Sequence, residues 1–202
     1  MSIFSKLAEK SWLTPSAVSD VQDRSVGPAA KTALSMFMGT LTSMLLLFAV
    51  GYRMRMAQPD WQPIDDPSLL WFNTALLVLA GLLMQAAKNA ATGSHIKGVR
   101  NYLSMAGVLT LAFLVGQYAA WGELRDSGLY DPRSPAAAFF VLLTGLHALH
   151  LVGGLLVWAR ATWRAWQGVE VKRIRLSVEL CTVYWHFLLL VWLVFFTLLL
   201  LT

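Results

Sequence analysis

The sequence predicts an all-α integral membrane protein with five transmembrane helices. Of the 202 residues, 57% are hydrophobic and 13% are charged, whereas a soluble domain carries about 25% charged residues. The mean hydropathy is +0.58, and nine tryptophans suit helices whose ends lie at membrane interfaces. The net charge of +5 is spread over the loops and does not indicate a nucleic-acid site. The single cysteine, Cys181, excludes an internal disulfide and is expected to be a small buried side chain.

Five charge-poor segments are each near or above the length of about 20 residues that a helix needs to cross the hydrocarbon core. None alternates over about ten residues as a spanning strand would. In chain order the segments are 32–52, 69–87, 103–122, 136–159 and 176–201. The charged residues that delimit them are Lys31, Arg53, Lys88, Arg100, Glu123, Arg133, Arg160 and Arg175. The loop before the second segment, QPDWQPIDDPS, has three prolines and is predicted to be an ordered turn.

We divide the chain into a polar tail, residues 1–31, and one five-helix domain, residues 32–202. The tail lacks an early apolar core, so it does not resemble a cleavable signal peptide. Apolar residues at helical spacing over positions 3–13 allow either a short helix on the membrane surface or a disordered tail.

The distribution of Lys and Arg predicts the orientation of the helices. The tail, the second loop and the fourth loop carry four, three and five of these residues, whereas the first and third loops carry two each. Positive residues concentrate on the cytoplasmic side of a membrane. We therefore expect a cytoplasmic N-terminus and a C-terminus outside.

Four ionisable residues inside the spans need an explanation, because such groups usually face protein rather than lipid. They are His147 and His150 in the fourth span, and Glu179 and His186 in the fifth. His150 and His186 both lie about ten residues from the same boundary, so their rings are expected at matching depth. We predict a hydrogen-bonded polar layer between the two helices. Metal or haem ligation and proton relay remain alternatives for these residues.

Small and aromatic residues are expected to pack the spans against one another. Gly145, Gly153 and Gly154 would let another backbone approach the fourth span closely. Trp185 and Trp192 are seven residues apart and are predicted to form a packing stripe on the fifth span.

Two motifs resemble a known family, subunit III of the haem–copper terminal oxidases. TGLHALHLVGGLL, beginning at Thr144, resembles the family's TGxHxxHxxxG helix, and YWHFLLLVW, beginning at Tyr184, resembles its closing YWHFxDxVW motif. FNTALLV and FLVGQYAAW, which contains Gln117, are weaker matches in the second and third spans. The resemblance covers all five spans and implies the short form, which lacks the first two helices of the seven-helix version.

The chain departs from the family pattern at three positions where the family carries a carboxylate. Leu41, Ala120 and Leu189 stand there instead. A proton-handling role for a buried carboxylate of subunit III is therefore not carried over, whereas the histidines and Glu179 are retained.

The resemblance implies a non-catalytic structural subunit of a proton-translocating oxidase in the aerobic respiratory chain. It would contact subunit I through its first two helices and assemble with subunit II and other respiratory subunits in a bacterial cytoplasmic membrane. Haem and copper would lie in the partner subunits, this chain would hold no cofactor, and a cleft between its first two and last three helices would bind phospholipid. The electron donor, cytochrome c or quinol, stays open.

Two other functions also fit the residues. One is an accessory protein of nitric-oxide reductase, whose members resemble subunit III. The other is a haem-binding membrane anchor that uses His150 and His186 as axial ligands.

Overall fold

Five α-helices run through residues 15–59, 69–126 and 135–200, the part of the chain that the computed structural model describes. Each contains a stretch long and apolar enough to cross a membrane, as the sequence predicts. The helices are α1 (Pro15–Met56), α2 (Leu69–Thr92), α3 (Ile96–Asp126), α4 (Pro135–Trp166) and α5 (Val171–Leu200).

The helices extend beyond the predicted spans because a helix continues through the interface after its apolar part has ended. α1 begins at Pro15, although its apolar stretch is Gly27–Met56. Positions 3–13, where a short surface helix was considered, and most of the proline-rich loop lie outside the described residues. Contacts divide the chain into two units, Met1–Gly39 and Thr40–Thr202. The predicted division at residue 31 stays a prediction.

Two tight turns make antiparallel pairs of α2 with α3 and of α4 with α5. Ser94 and Gly168 adopt left-handed backbone conformations, with φ of 59° and 79°. The amide of the next residue then donates back to the helix, from His95 to the Ala90 carbonyl (2.9 Å) and from Val169 to the Arg164 carbonyl (3.3 Å). This is the Schellman arrangement, which satisfies carbonyls that a helix end would leave unpaired.

Within the unit Thr40–Thr202, α2 packs against α3 and α5, while α4 packs against α3 and α5. The core is therefore built from the last four helices, and α5 is the most deeply buried of the five. Leu45 and Tyr52 of α1 join a cluster with Leu143 of α4 and Val191 and Phe195 of α5. Only 6% of the most apolar stretch of α1 is buried, so the described residues leave most of this stretch uncovered.

The arrangement corrects the expected position of the cleft. The first two helices do not stand apart from the last three, because α2 packs directly on α3 and α5. A groove lies instead between α1 on one side and α4 and α5 on the other.

Candidate functional site in the helix bundle

His147 lies inside an aromatic cage. Only 2% of its surface is exposed. The centroid of its ring is 5.3 Å from Trp192, 6.0 Å from Phe113 and 6.5 Å from Phe195, the two phenylalanines in edge-to-face geometry. Neither ring nitrogen has a hydrogen-bond partner. Contacts with aromatic rings therefore hold this imidazole in place.

His150, one turn later on α4, is bonded to its own helix. Its Nδ1 donates to the Leu146 carbonyl at 2.7 Å. A carbonyl only accepts, so Nδ1 carries the hydrogen and Nε2 of the neutral ring is an acceptor. The ring is half-buried and lines the same groove as His147.

His186 repeats this arrangement on α5. Its Nδ1 donates to the Thr182 carbonyl at 2.8 Å, and the side chain is exposed. The rings of His150 and His186 thus bond to their own helices rather than to each other, unlike the polar layer expected from their depth. A carbonyl one turn away in the same helix competes directly with a partner on another helix for the ring donor.

Glu179 is partly buried two turns before His186 on α5 and is itself engaged in a contact. Of the three histidines, His147 and His150 lie together at one groove, whereas His186 lies on an exposed face.

The groove is a partly enclosed, mostly apolar cavity of about 30 Å³. Three helices contribute to it. Its lining consists of Leu41, Met44, Leu45, Phe48, Leu146, His147, His150, Phe187, Leu188, Val191 and Phe195.

The three positions that depart from the family pattern are occupied by apolar contacts. Leu41 lines the groove, and Ala120 is completely buried. Leu189 packs on α2, where its Cδ2 lies 3.4 Å from the place that a Cβ on Gly81 would occupy. All three positions are therefore used for apolar packing.

Three tryptophan–threonine pairs, which we call the Trp–Thr fasteners, join different helices. The indole nitrogen of Trp192 donates to Thr74 (2.9 Å), that of Trp185 to Thr110 (3.2 Å) and that of Trp121 to Thr144 (3.0 Å). Each threonine hydroxyl then donates to the carbonyl four residues earlier, at 2.6–2.8 Å. Every fastener therefore leaves the indole donor and the hydroxyl hydrogen satisfied.

Further hydrogen bonds between helices end on backbone carbonyls. The donors are the Trp158 indole to Leu103 (3.0 Å), the Thr182 hydroxyl to Met84 (3.1 Å) and the Tyr184 hydroxyl to His150 (3.2 Å). The sequence interpretation included Trp185 and Trp192 as packing residues and Tyr184 as part of a family motif, but it missed their hydrogen bonds. The available signal was the occurrence of threonines inside apolar spans.

The glycines differ in how closely another helix approaches them. A Cβ on Gly154 would lie 2.8 Å from the Tyr184 ring, and one on Gly145 would lie 3.7 Å from Trp121, whereas Gly153 has nothing within 4 Å. The closest approaches occur at two glycines that the sequence interpretation did not select. A Cβ on Gly107 would overlap the Trp158 ring, and one on Gly116 would overlap the Asn73 amide.

Gln117 is buried, as is Asn73 on α2, and no amide atom of either has a hydrogen-bond partner. Among residues 15–59, 69–126 and 135–200, no group of three or more His, Cys, Asp or Glu side chains is placed to hold a metal ion.

The sequence model of the family described as Cytochrome c oxidase subunit III matches residues 33–201. The chain is similar to cytochrome c oxidase subunit 3 of Synechocystis sp., at 28% identity over 169 residues, which cover 81% of this chain and 68% of that protein. It is 27% identical to cytochrome c oxidase subunit 3 of Thermostichus vulcanus over 158 residues, which cover 76% of this chain and 77% of that protein. It is 28% identical to the probable cytochrome c oxidase subunit 3 of Mycobacterium bovis over 124 residues, 61% of each chain.

These matches agree with the five apolar helices and with the two motifs on α4 and α5, and they confirm the resemblance found in the sequence. The chain is a multi-pass membrane protein, a component of an oxidase complex, and belongs to the cytochrome c oxidase subunit III family.

Proposed function

We propose that the chain is a non-catalytic structural subunit of a proton-translocating haem–copper oxidase and that α1 and α2 pack against the catalytic subunit. The uncovered apolar surface of α1 carries this proposal. Leu46, Leu47 and Met54 are 60%, 72% and 68% exposed. Exposed apolar side chains on a membrane-crossing helix are available for contact with lipid or with another membrane protein. Trp71, Phe72 and Leu82 extend exposed apolar surface onto α2.

The oxygen chemistry belongs, in this proposal, to the partner subunits that hold haem and copper. The side chains of this chain position helices: indoles and hydroxyls join them, and aromatic rings hold His147. We assign no catalytic residue to it.

The membrane is the bacterial cytoplasmic membrane, with the N-terminus inside and the C-terminus outside. The excess of Lys and Arg in the tail and in the α2–α3 and α4–α5 loops supports this orientation, and the similar proteins cited above come from bacteria.

The mostly apolar lining of the groove between α1, α4 and α5 supports contact with a phospholipid acyl chain that lies along its open side, with only the end of the chain entering the cavity. Replacing Leu41 by Phe should fill the groove and reduce the phospholipid that native mass spectrometry detects on the purified complex. Val115→Phe, at a 70% exposed site on α3 away from both the groove lining and the proposed subunit contact, is the control. Unchanged phospholipid in Leu41→Phe would contradict this placement.

Purification from native membranes, with identification of the companion chains, tests the proposed function. We expect oxidase subunits I and II. Nitric-oxide reductase subunits in their place would refute the proposal and favour the accessory role. A stoichiometric haem signal of the isolated chain that disappears in His186→Ala would refute it in favour of a haem anchor.

A further inference from the structure

An exposed face of α5 carries an ionisable side chain halfway along the helix. We define the His186 face by Val183, His186, Leu190, Leu193 and Thr197, all of which are exposed. We propose that this face docks a transmembrane helix of another chain, and that this helix presents a hydrogen-bond donor to Nε2 of His186. The interface is additional to the contact that we proposed for α1 and α2.

The depth of His186 makes contact with lipid alone unfavourable. The apolar span of α5 covers residues 176–201, so at 1.5 Å per residue His186 lies about 15 Å from one boundary and about 22 Å from the other. Ionisable residues at such depth face protein or a water-filled cavity. No helix in the described part of the chain covers His186, so we assign the protein that covers it to another chain.

The hydrogen bond inside α5 decides what the partner must supply. Nδ1 donates to the Thr182 carbonyl at 2.8 Å and therefore holds the hydrogen of the neutral ring. Nε2 is left as an acceptor on the exposed side. A hydroxyl, amide or indole donor satisfies it, whereas a lipid tail offers none.

The surroundings of His186 suit an apolar helix with one polar residue. The members of the face follow one another at spacings of three and four residues, the seam along which a second helix packs. The Thr197 hydroxyl already donates to the Leu193 carbonyl at 2.8 Å. A shallow apolar groove formed by Leu190, Leu193, Val194, Thr197 and Leu198 continues the face beyond His186.

A second copy of this chain does not meet the requirement. Two-fold packing along the His186 face would place the same surface of both copies together. The two Nε2 acceptors would then meet without a donor between them. A different chain is therefore the occupant.

Photo-crosslinking in native membranes tests the docking face. A photoreactive amino acid at Leu190, next to His186 on the face, should capture one other protein. The control position is Val108, near the middle of α3 and 65% exposed, which should capture lipid only. Capture of lipid alone at Leu190, capture of a second copy, or equal capture of the same protein at Val108 would overturn the proposal.

His186→Phe tests the polar contact, because it keeps a ring and removes both nitrogens. Cross-linking from Leu190 should fall by about three-fold to twenty-fold, the range expected for one hydrogen bond between helices in a membrane. His150→Phe is the matched control, since His150 makes the same bond to its own helix but lines the groove. An unchanged yield in His186→Phe would overturn the proposal. If His186→Phe does not insert into the membrane, cross-linking from Leu190 in the protein with native His186 decides whether the face docks another chain. The identity of the captured chain separately tests the assignment to an oxidase.

Discussion

At the scale of single residues, the bundle is held by side chains that can satisfy both their own donors and those of another helix. An indole nitrogen only donates, and a buried one needs an acceptor. A threonine hydroxyl accepts that bond and donates its own hydrogen to the preceding turn, as Thr74, Thr110 and Thr144 do. A threonine on a facing helix therefore gives the buried indole an acceptor, while its own hydroxyl hydrogen is bonded within its helix.

A double-mutant cycle measures the fastener between Trp192 and Thr74. Trp192→Phe and Thr74→Val each remove one side of the hydrogen bond. We expect a coupling free energy of about 0.6 kcal/mol, and at most about 1.7 kcal/mol, from unfolding in detergent. Trp163→Phe, at a 67% exposed site, should cost less than Trp192→Phe. Purely additive effects of Trp192→Phe and Thr74→Val would show that the hydrogen bond does not stabilise the bundle.

Gln117 and Thr182 are equally buried but differ in their hydrogen bonds. Both polar atoms of the Gln117 amide lack a partner, whereas the Thr182 hydroxyl shares its one hydrogen between the carbonyls of Met84 and Val178. Gln117→Met should therefore leave the melting temperature of the purified chain unchanged or raised, and Thr182→Val should lower it. Thermal unfolding of both variants in one detergent measures this. A comparable fall of the melting temperature in Gln117→Met would show that the amide has a hydrogen-bond partner.

At the scale of helices, two close contacts are made where an aromatic ring lies on a glycine. Trp158 of α4 covers Gly107 of α3, and Tyr184 of α5 covers Gly154 of α4. Helices in membranes gain stability from such close packing, because lipid is as apolar as their side chains. A side chain that prevents the ring from packing on the glycine should therefore lower the free energy of unfolding.

Gly107→Ala tests the contact between α3 and α4. The added methyl group overlaps the Trp158 ring, so the free energy of unfolding should fall by about 1–3 kcal/mol. Gly153→Ala is the matched control, because nothing lies within 4 Å of its Cβ position. Equal stability of the two variants would contradict the packing described for Gly107.

At the scale of the whole molecule, the orientation proposed from charge can be tested at two turns. Gln58 follows α1 and Gln167 follows α4, and both side chains are exposed. In intact cells a membrane-impermeant thiol reagent should label Gln58→Cys, which lies outside in this proposal, and spare Gln167→Cys. Native Cys181 is buried and serves as a silent background. Labelling of Gln167→Cys and not of Gln58→Cys would show that the orientation is the opposite of the proposed one.

The sequence by itself determined the five membrane-crossing helices and the family. Partitioning into hydrocarbon depends on the composition of each segment, which is local, and the motifs on α4 and α5 are contiguous. The existence of intramembrane histidines was equally plain in the sequence.

Only the tertiary structure decided where those histidines face and which residues join the helices. Their depth along α4 and α5 was readable, but their direction depends on the rotation of each helix and on competition from a carbonyl four residues away. The position of the groove likewise follows from α2 packing on α3 and α5. Contacts between helices are non-local, and the spacing of residues within one helix does not contain them.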